Sequence, residues 1–237
     1  AKLKITMNQD KNCYAILNDK NIPSIHQKSK ANEIRFKISK DKKLFIKNKE
    51  ESLDINNSFL IGNHNYENIL AAFITCKLCG LNKKSIINSI NKFKSLPHRL
   101  EKLVFKLNQI FYNDSKATNL HATFAALDSI DSNIILILGG IDKNNTDFSL
   151  LIKYKHKIKK IILYGESRDL INKQIKSLFN IFSYHSFEKA INKSIQIIED
   201  NYNVLLSPAC SSFDQFKNYK ERGNYFKKIV SKYYDKN

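Results

Sequence analysis

The stretch Val204-Leu205-Leu206-Ser207-Pro208-Ala209-Cys210-Ser211-Ser212 predicts a short buried strand over Val204–Leu206, followed by a turn of small residues. A helical pattern follows from about Glu221 to Tyr233. In open α/β sheets the carboxyl ends of the strands line the ligand crevice. The hydroxyls of Ser211 and Ser212, with free backbone N–H groups of the turn, could therefore bind an anion. A plain strand-to-helix connection is the alternative.

Strands and helices alternate through the rest of the second half of the chain. A hairpin-like pair of strands is predicted over 103–112, and single strands over 134–138, 160–163 and 181–184. Helices are predicted over 120–129, 168–179 and 187–200. This order predicts an α/β fold with a Rossmann-like, mostly parallel sheet and helices on both faces. Three turns, at Gly139, Gly165 and Ser207, then lie on one edge of the sheet.

The first part of the chain has a different pattern. Short strands are predicted over 13–17, 33–38, 44–46 and 59–61, and helices from His64 and over 83–93. The sequence Ser95-Leu96-Pro97-His98 interrupts the helical pattern. We therefore predict two domains, over residues 1–95 and 96–237.

The chain is strongly basic, with 40 Lys and Arg against 22 Asp and Glu among 237 residues and a formal net charge of +18. Few of the basic residues are arginine, and lysine, asparagine and isoleucine are all abundant, which indicates a compositional bias. Nucleic-acid binding usually requires basic runs interleaved with aromatic residues. Because no such run occurs, we predict no nucleic-acid partner.

The four cysteines are Cys13, Cys76, Cys79 and Cys210. Cys76 and Cys79 lie one turn apart in an apolar helical run, which favours two small packed residues over a metal or redox site. No disulfide is required, so a reducing cytoplasm fits. No apolar run approaches the roughly 20 residues that span a bilayer, and we predict no signal peptide. The start at Ala1, within strand-like sequence, suggests a cut inside a longer protein.

Two turns carry candidate anion-binding residues. Gly139-Gly140-Ile141-Asp142-Lys143 follows a predicted strand, so a ligand could approach the backbone closely and Lys143 could supply a charge. In Asn113-Asp114-Ser115-Lys116-Ala117-Thr118-Asn119, Asp114 could orient a nucleotide hydroxyl, while Lys116 and Thr118 could hold anions. Helix capping by Thr118 or Asn119 is the alternative for the second turn. No G-x-x-x-x-G-K-[ST] phosphate loop occurs.

Two further segments contain polar residues suited to a nucleotide. In Leu96-Pro97-His98-Arg99-Leu100-Glu101, the planar guanidinium of Arg99 suits a phosphate, and a salt bridge with Glu101 is the alternative. In Gly62-Asn63-His64-Asn65-Tyr66-Glu67-Asn68, Asn65 and Asn68 lie on one side of a helix and could bind a base or ribose. Helix capping by Asn63 or Asn65 is the alternative.

Taken in order, these segments resemble the C-terminal part of the Mur ligases. Residues 62–68 and 96–101 resemble the wider Mur and folylpolyglutamate ligase superfamily. Residues 113–119 and 207–216, continued by Tyr219 and Glu221-Arg222-Gly223, resemble the member that adds D-glutamate. Ser211 stands where the family more often has alanine, and Tyr219 where it has phenylalanine.

The resemblance implies a role for each candidate residue. Asn65, Asn68, Arg99 and Asp114 are expected to contact ATP. Lys116 is expected to join Arg99 and Asp114 in the catalytic set and to hold the phosphate or nucleotide-substrate side. Lys143 and Ser212 are expected to bind the carboxylates of D-glutamate, in a pocket completed by Thr118, Phe213 and Tyr219. For His98, a ligand contact and a structural role at the boundary both stay open.

The resemblance also implies a reaction. We expect an ATP-dependent ligase of peptidoglycan precursor synthesis, hence of cell wall formation, cell shape and division. It would add D-glutamate to UDP-N-acetylmuramoyl-L-alanine through an acyl phosphate, as a cytoplasmic monomer without membrane insertion. The family's phosphate loop, Mg²⁺ ligands and carbamylated lysine would lie upstream, so the fragment is expected to be inactive alone. Another amino-acid-adding Mur or folylpolyglutamate-type ligase, or a non-catalytic basic binding remnant, are the alternatives.

Overall fold

The structure, a computed structural model, describes residues 9–19, 30–38, 44–46, 49–51, 53, 62–93, 96–105 and 109–235. The chain forms two compact units, Ala1–Lys94 and Ser95–Asn237. The strand predicted over 59–61 lies outside the described residues.

The first unit contains a four-stranded sheet and two helices. Its strands are β1 Tyr14–Asn18, β2 Asn32–Ile38, β3 Leu44–Ile46 and β4 Lys49–Glu51, in that spatial order, and its helices are α1 Asn63–Leu78 and α2 Lys83–Lys92. β1 and β2 are parallel, and the other two pairings are antiparallel. Ile34, Phe36 and Ile38 alternate with exposed residues along β2 and pack with Leu70 and Ile74 of α1. This alternation, typical of a strand with one buried face, forms the core of the unit.

The second unit contains a six-stranded sheet in the order β5-β6-β10-β7-β8-β9. Its strands are β5 Glu101–Val104, β6 Ile110–Asn113, β7 Asn133–Gly139, β8 Ile158–Tyr164, β9 Ile181–Ser183 and β10 Tyr202–Ala209. Its helices are α3 Leu120–Ser129, α4 Arg168–Ile175, α5 Phe187–Gln196 and α6 Tyr219–Asp235. Every pairing is parallel except that of β5 with β6. The predicted α/β fold, with a mostly parallel sheet flanked by helices, is confirmed.

The central strands of the second unit are buried on both faces, as expected of parallel strands covered by helices. Ile135 and Ile137 of β7 pack in one cluster with Phe187 of α5 and Phe226 of α6. Successive side chains of a strand point to opposite faces, so Ile134, Leu136 and Leu138 face away from this cluster. All five of these β7 residues are fully buried, and the rigid sheet fixes the turns at its carboxyl edge.

The prediction that the last strand ends at Leu206 was wrong, because β10 continues through Ser207 and Pro208 to Ala209. The pairing of β10 with β7 shifts register between Leu206 and Ala209, which accommodates one extra residue as a bulge. Proline cannot donate to a ladder hydrogen bond, but a bulge tolerates it. Ser207 is therefore a buried strand residue and not part of the turn.

Other boundaries also differ from the predictions. The helices predicted over 168–179 and 187–200 end at Ile175 and Gln196, and the terminal helix begins earlier, at Tyr219. A 3-10 helix at Phe148–Tyr154 and strand β4 were not predicted. Among the described helices, none is long and apolar enough to cross a bilayer.

Candidate active site

The turns after β7, β8 and β10 contact one another at the carboxyl edge of the second unit's sheet. Ile141 and Ser211 exchange two backbone hydrogen bonds of 3.0 Å. Gly140 (φ +121) and Gly165 (φ +75) lie at the contacts: a Cβ at Gly140 would clash with the carbonyl oxygen of Ser211, and one at Gly165 with the carboxylate of Asp214. The two glycines thus allow the three turns to form one connected surface.

Asp114 follows β6 at the same edge and is buried. Its Oδ1 accepts a hydrogen bond from the backbone N–H of Leu100 (3.2 Å), and its Oδ2 accepts one from the hydroxyl of Ser207 (2.9 Å). Burial raises the pKa of Asp114 to about 7. Leu100 has a left-handed backbone conformation (φ 47), so the carboxylate stabilises a strained loop. Both oxygens have a protein donor, and the expected contact with ATP stays a prediction.

Lys116 lies beside Tyr219, which begins α6. Its Nζ is 4.6 Å from the centroid of the Tyr219 ring and 3.4 Å from the hydroxyl. The backbone N–H of Lys116 donates to the carbonyl of His98 (3.1 Å). Lys116, which is expected at the phosphate, therefore contacts Tyr219, which is expected in the D-glutamate pocket.

Lys143 lies over the ring of Phe213, with Nζ 4.7 Å from the ring centroid. Its turn is held by Asp142, whose carboxylate accepts from the backbone N–H (2.9 Å) and the hydroxyl (2.6 Å) of Thr146. Burial acts to raise the pKa of Asp142, but the hydrogen bonds from Thr146 and from the backbone of Asn144 and Lys143 outweigh it and lower the pKa. Ser212, next to Phe213, is buried and its carbonyl accepts from the N–H of Phe216 (2.9 Å). Lys143 thus lies on a turn next to the one that carries Ser212 and Phe213, and their expected role in one pocket stays a prediction.

Thr118 and Arg99 are both exposed, on the turns before α3 and β5. The side chain of Asn119, not that of Thr118, caps α3 by accepting from the N–H of Ala122 (2.9 Å). The alternative for Arg99, a salt bridge with Glu101, does not form, because Glu101 pairs with Lys227 at 3.0 Å. Thr118 and Arg99 are therefore accessible to a ligand.

Asn65 and Asn68 lie in the first turns of α1, in the first unit. Asn68 is exposed and Asn65 is half-buried. The N-cap residue of α1 is Gly62, without a side-chain capping hydrogen bond. The N-cap position thus belongs to neither asparagine, and the side chain of Asn63 lies outside the described residues.

Arg222, to which the sequence analysis gave no role, is fully buried on α6. Its guanidinium donates to the carbonyl (2.8 Å) and hydroxyl (3.0 Å) of Ser115, to the hydroxyl of Tyr164 (3.0 Å) and to the carbonyl of Cys210 (3.2 Å). No carboxylate forms an ion pair with it among the described residues. It thus connects the ends of β6, β8 and β10 through hydrogen bonds alone. The rarity of arginine in this chain and its place before Gly223 were the available signals.

His98 is buried near the start of the second unit, where its imidazole contacts other residues of that unit. Its Nδ1 lies 3.0 Å from the side-chain amide nitrogen of Asn113, which can only donate, so Nδ1 accepts and the proton belongs on Nε2. Burial lowers the pKa of His98. A Cβ at Gly223 would clash with the imidazole, so α6 packs directly on this ring.

No group of three or more His, Cys, Asp or Glu side chains that could hold a metal ion occurs in the described part of the chain. The acidic residues of the site instead form hydrogen bonds that fix the turns. What the edge presents to a ligand is therefore lysine, hydroxyl and backbone donors, which suit carboxylates and phosphates.

An α/β unit with such an edge matches a known family. Residues 98–210 match the family model described as Mur ligase, glutamate ligase domain. The match covers most of the second unit, which is therefore similar to the glutamate ligase domain of the Mur ligases.

Within this family, the similar curated proteins are D-glutamate ligases. The chain is 42% identical over 78% of its length to the UDP-N-acetylmuramoylalanine–D-glutamate ligase of Bdellovibrio bacteriovorus, of which it covers 40%. It is 36% identical over 98% of its length to the ligase of the same name from Bacillus cereus, of which it covers 54%. The chain thus spans about half the length of the curated relatives that it matches.

Solved structures support the fold. The MurF ligase from Thermotoga maritima, determined in complex with ADP, aligns with a TM-score of 0.67 and 14% identity. The alignment covers 99% of this chain and 57% of that protein. The fold described above thus occurs in a solved structure.

Proposed function

We propose that this chain is the C-terminal part of an ATP-dependent ligase that joins D-glutamate to UDP-N-acetylmuramoyl-L-alanine, releasing ADP and phosphate. The observation that carries the proposal is the 36% identity to a D-glutamate ligase over 98% of the chain. Residues 1–95 would be the end of the central ATP-binding domain, and residues 96–237 the complete C-terminal domain. The reaction would proceed through an acyl phosphate of the alanyl carboxylate, which the amine of D-glutamate attacks.

The D-glutamate pocket would be formed at the connected turns of the second unit. Lys143 and Ser212 would bind the two carboxylates, one with an ammonium group and one with a hydroxyl. Phe213, Thr118 and Tyr219 would complete the walls. The proposal is supported by the contact of the turn after β7 with the turn after β10, since Ile141 and Ser211 exchange hydrogen bonds of 3.0 Å. Such placement of an amine beside a carboxyl derivative can contribute much of the rate enhancement.

The nucleotide side would be formed by the other candidate residues. Arg99 is exposed and suits a phosphate, and Asn65 and Asn68 are proposed as nucleotide contacts. Lys116 would stabilise negative charge as phosphate is transferred and released. Asp114, whose oxygens bind Leu100 and Ser207, would act chiefly by positioning the loop that carries Arg99. ATP and Mg²⁺ are proposed as co-substrate and metal, and the metal ligands are proposed to lie upstream of this chain.

We further propose a monomer that acts in the cytoplasm, where ATP is available, and that binds no nucleic acid. The described cysteines are all free thiols, which fits a reducing compartment. The alternative, another amino-acid-adding ligase of the same fold, would bind a different side chain at the turn that carries Lys143.

The test is product release by a full-length version that includes the upstream half. We expect ADP and phosphate release that requires both UDP-N-acetylmuramoyl-L-alanine and D-glutamate. L-glutamate, L-lysine and diaminopimelate should not replace D-glutamate. The chain alone is the control and should release no ADP, since no Gly-Lys-Ser or Gly-Lys-Thr occurs in it. Release that follows diaminopimelate or L-glutamate would contradict the proposal and favour the alternative.

A further inference from the structure

Two lysines at the carboxyl edge lie against aromatic rings that belong to one short segment. The ammonium of Lys143 is 4.7 Å from the ring centroid of Phe213, and that of Lys116 is 4.6 Å from the ring centroid of Tyr219. A cation within about 6 Å of a ring centroid is attracted by the charge distribution of the ring. The lysines follow different strands, β7 and β6, whereas both rings lie in residues 211–219, which follow β10.

The 211–219 segment is fixed to the surrounding turns along its whole length. Its hydrogen bonds reach the turns after β7, β8, β9 and β6, through the pairs Ser211–Ile141 (3.0 Å), Asp214–Glu166 (3.2 Å), Gln215–His185 (2.8 Å) and Tyr219–Ser115 (2.8 Å). Gln215 also accepts from the N–H of Phe187, which begins α5. One tethered segment therefore sets the positions of both rings relative to the edge.

The ring of Phe213 has little role in packing. The side chain is 60% exposed, whereas a phenylalanine that packs in a core is buried. Tyr219 is half-buried, and its hydroxyl lies 3.4 Å from Nζ of Lys116. Contact with a lysine is thus the main interaction that the structure gives to the exposed ring of Phe213.

We propose that Phe213 and Tyr219 are positioning residues, which hold the ammonium groups of Lys143 and Lys116 in place for the anionic groups of the ligands that each lysine binds. A lysine side chain is long and flexible and loses freedom when it binds an anion. A ring that already restricts the side chain lowers this cost, which is preorganisation. The inference rests on the proposed function, where such ligands are a dicarboxylate amino acid and a phosphate.

The first arm of the test measures the chemical shifts of the Lys143 side-chain protons by NMR in the isolated chain. Glutarate is the probe, and its affinity is measured in the same experiment. Protons above an aromatic ring are shifted upfield, so the Cε protons of Lys143 should be displaced in the wild type. Phe213→Leu should abolish the displacement and weaken glutarate binding about 2- to 5-fold, as expected for an exposed cation–π contact. Phe213→Tyr keeps the ring face and should preserve both signals. A Phe213→Leu variant with unchanged glutarate affinity would overturn the proposal.

The second arm measures the chemical shifts of the Lys116 side-chain protons and the affinity for inorganic phosphate, which is the probe. Tyr219→Phe removes only the hydroxyl and should keep the upfield shift of Lys116 and most of the phosphate affinity. Tyr219→Leu removes the ring and should lose both. Equal phosphate affinity in these two variants would contradict the proposal. The proposal would also be contradicted if, in the wild type, glutarate did not change the chemical shifts of Lys143 and phosphate did not change those of Lys116.

Phe182→Leu is the matched control, because Nζ of Lys193 lies 4.7 Å from the Phe182 ring, on β9 and α5. It should remove the upfield shift of Lys193 and leave glutarate and phosphate binding unchanged. A loss of affinity in this control would indicate general destabilisation and overturn the positioning role. Failure of the proposed function is seen separately: D-glutamate would then bind no more tightly than L-glutamate, whatever the rings do.

Discussion

Asp114 makes the stability of the second unit depend on pH. Burial raises its pKa from 3.8 to about 7, so the folded state binds its proton more tightly than the unfolded state. The stability that this group contributes is fully present below about pH 4 and is lost as the pH rises through about 7. A variant whose residue 114 cannot ionise should therefore become more stable relative to the wild type as the pH rises.

Asp114→Asn is that variant, since an amide keeps an oxygen for Leu100 and can donate to Ser207. Between pH 5 and pH 8, we expect its free energy of unfolding to rise relative to that of the wild type by on the order of 2 kcal/mol. Urea unfolding at the two pH values measures this difference. The same difference at both pH values would show that Asp114 does not titrate in this range.

Arg222 should be among the residues most costly to replace in the second unit. Arg222→Met leaves the carbonyls of Ser115 and Cys210 without this donor, and we expect a loss of at least about 3 kcal/mol in the free energy of unfolding. Arg168→Met is the control: this half-exposed arginine donates to Gly165 and pairs with Asp169, and its loss should cost about 1 kcal/mol or less. Chemical denaturation compares the two, and equal costs would contradict the account.

At the residue scale, the sequence predicted which residue types lie at the edge but not their partners. Lys116 and Tyr219 are 103 positions apart, and no local pattern indicates such a contact. Arg222 and Ser115 are 107 apart, and a helical arginine is usually solvated. Ser207 was predicted to lie in a turn because it begins a run of small residues, whereas the bulge in β10 keeps it in the strand.

At the element scale, α6 packs so closely on the loop before β5 that its glycine is required. An alanine in a helix is normally favoured over glycine by about 0.5–1 kcal/mol. At Gly223, however, the added Cβ would clash with the ring of His98. We expect Gly223→Ala to lower the free energy of unfolding by about 1–3 kcal/mol.

The double variant Gly223→Ala/His98→Ala tests whether the clash with the His98 ring causes this loss of stability. Removing the imidazole leaves room for the methyl group, so Gly223→Ala should become neutral or stabilising in that background. Thermal unfolding of the four proteins gives the coupling between the two sites. An equal cost of Gly223→Ala in both backgrounds would place the strain elsewhere.

Elements were predicted well where their pattern is local and poorly where tertiary contacts decide. Strand β7 was expected over 134–138 and helix α3 over 120–129, with Thr118 or Asn119 as the capping alternative, and Asn119 is the residue that caps α3. The 3-10 helix at Phe148–Tyr154 buries only Phe148 and Leu151, which is too little periodicity to indicate a helix. β4 has the sequence Lys-Glu-Glu, and only its pairing with β3 makes it a strand.

At the scale of the whole molecule, each unit has a hydrophobic cluster of its own among the described residues. One contains Ile34, Phe36 and Leu70, and the other contains Ile135, Phe187 and Phe226. We expect limited proteolysis to cut near residues 94–96 and to release a stable fragment of about 140 residues, a domain-sized unit. Mass spectrometry identifies the cut, and a first cleavage within β7 would contradict the division.

The assignment of Lys143 to a carboxylate of D-glutamate is the central claim, because it connects the turn after β7 to the proposed substrate. In a full-length version, Lys143→Ala removes a charge-assisted hydrogen bond, which typically contributes about 1.5–3 kcal/mol, or roughly 10- to 150-fold. Ser212→Ala should cost less, because only a neutral donor is lost.

The most direct test is the KM for D-glutamate beside the KM for ATP in Lys143→Ala. We predict that the KM for D-glutamate rises at least about tenfold while that for ATP changes little. An unchanged KM for D-glutamate with a raised KM for ATP would make Lys143 a nucleotide ligand and contradict the proposed pocket.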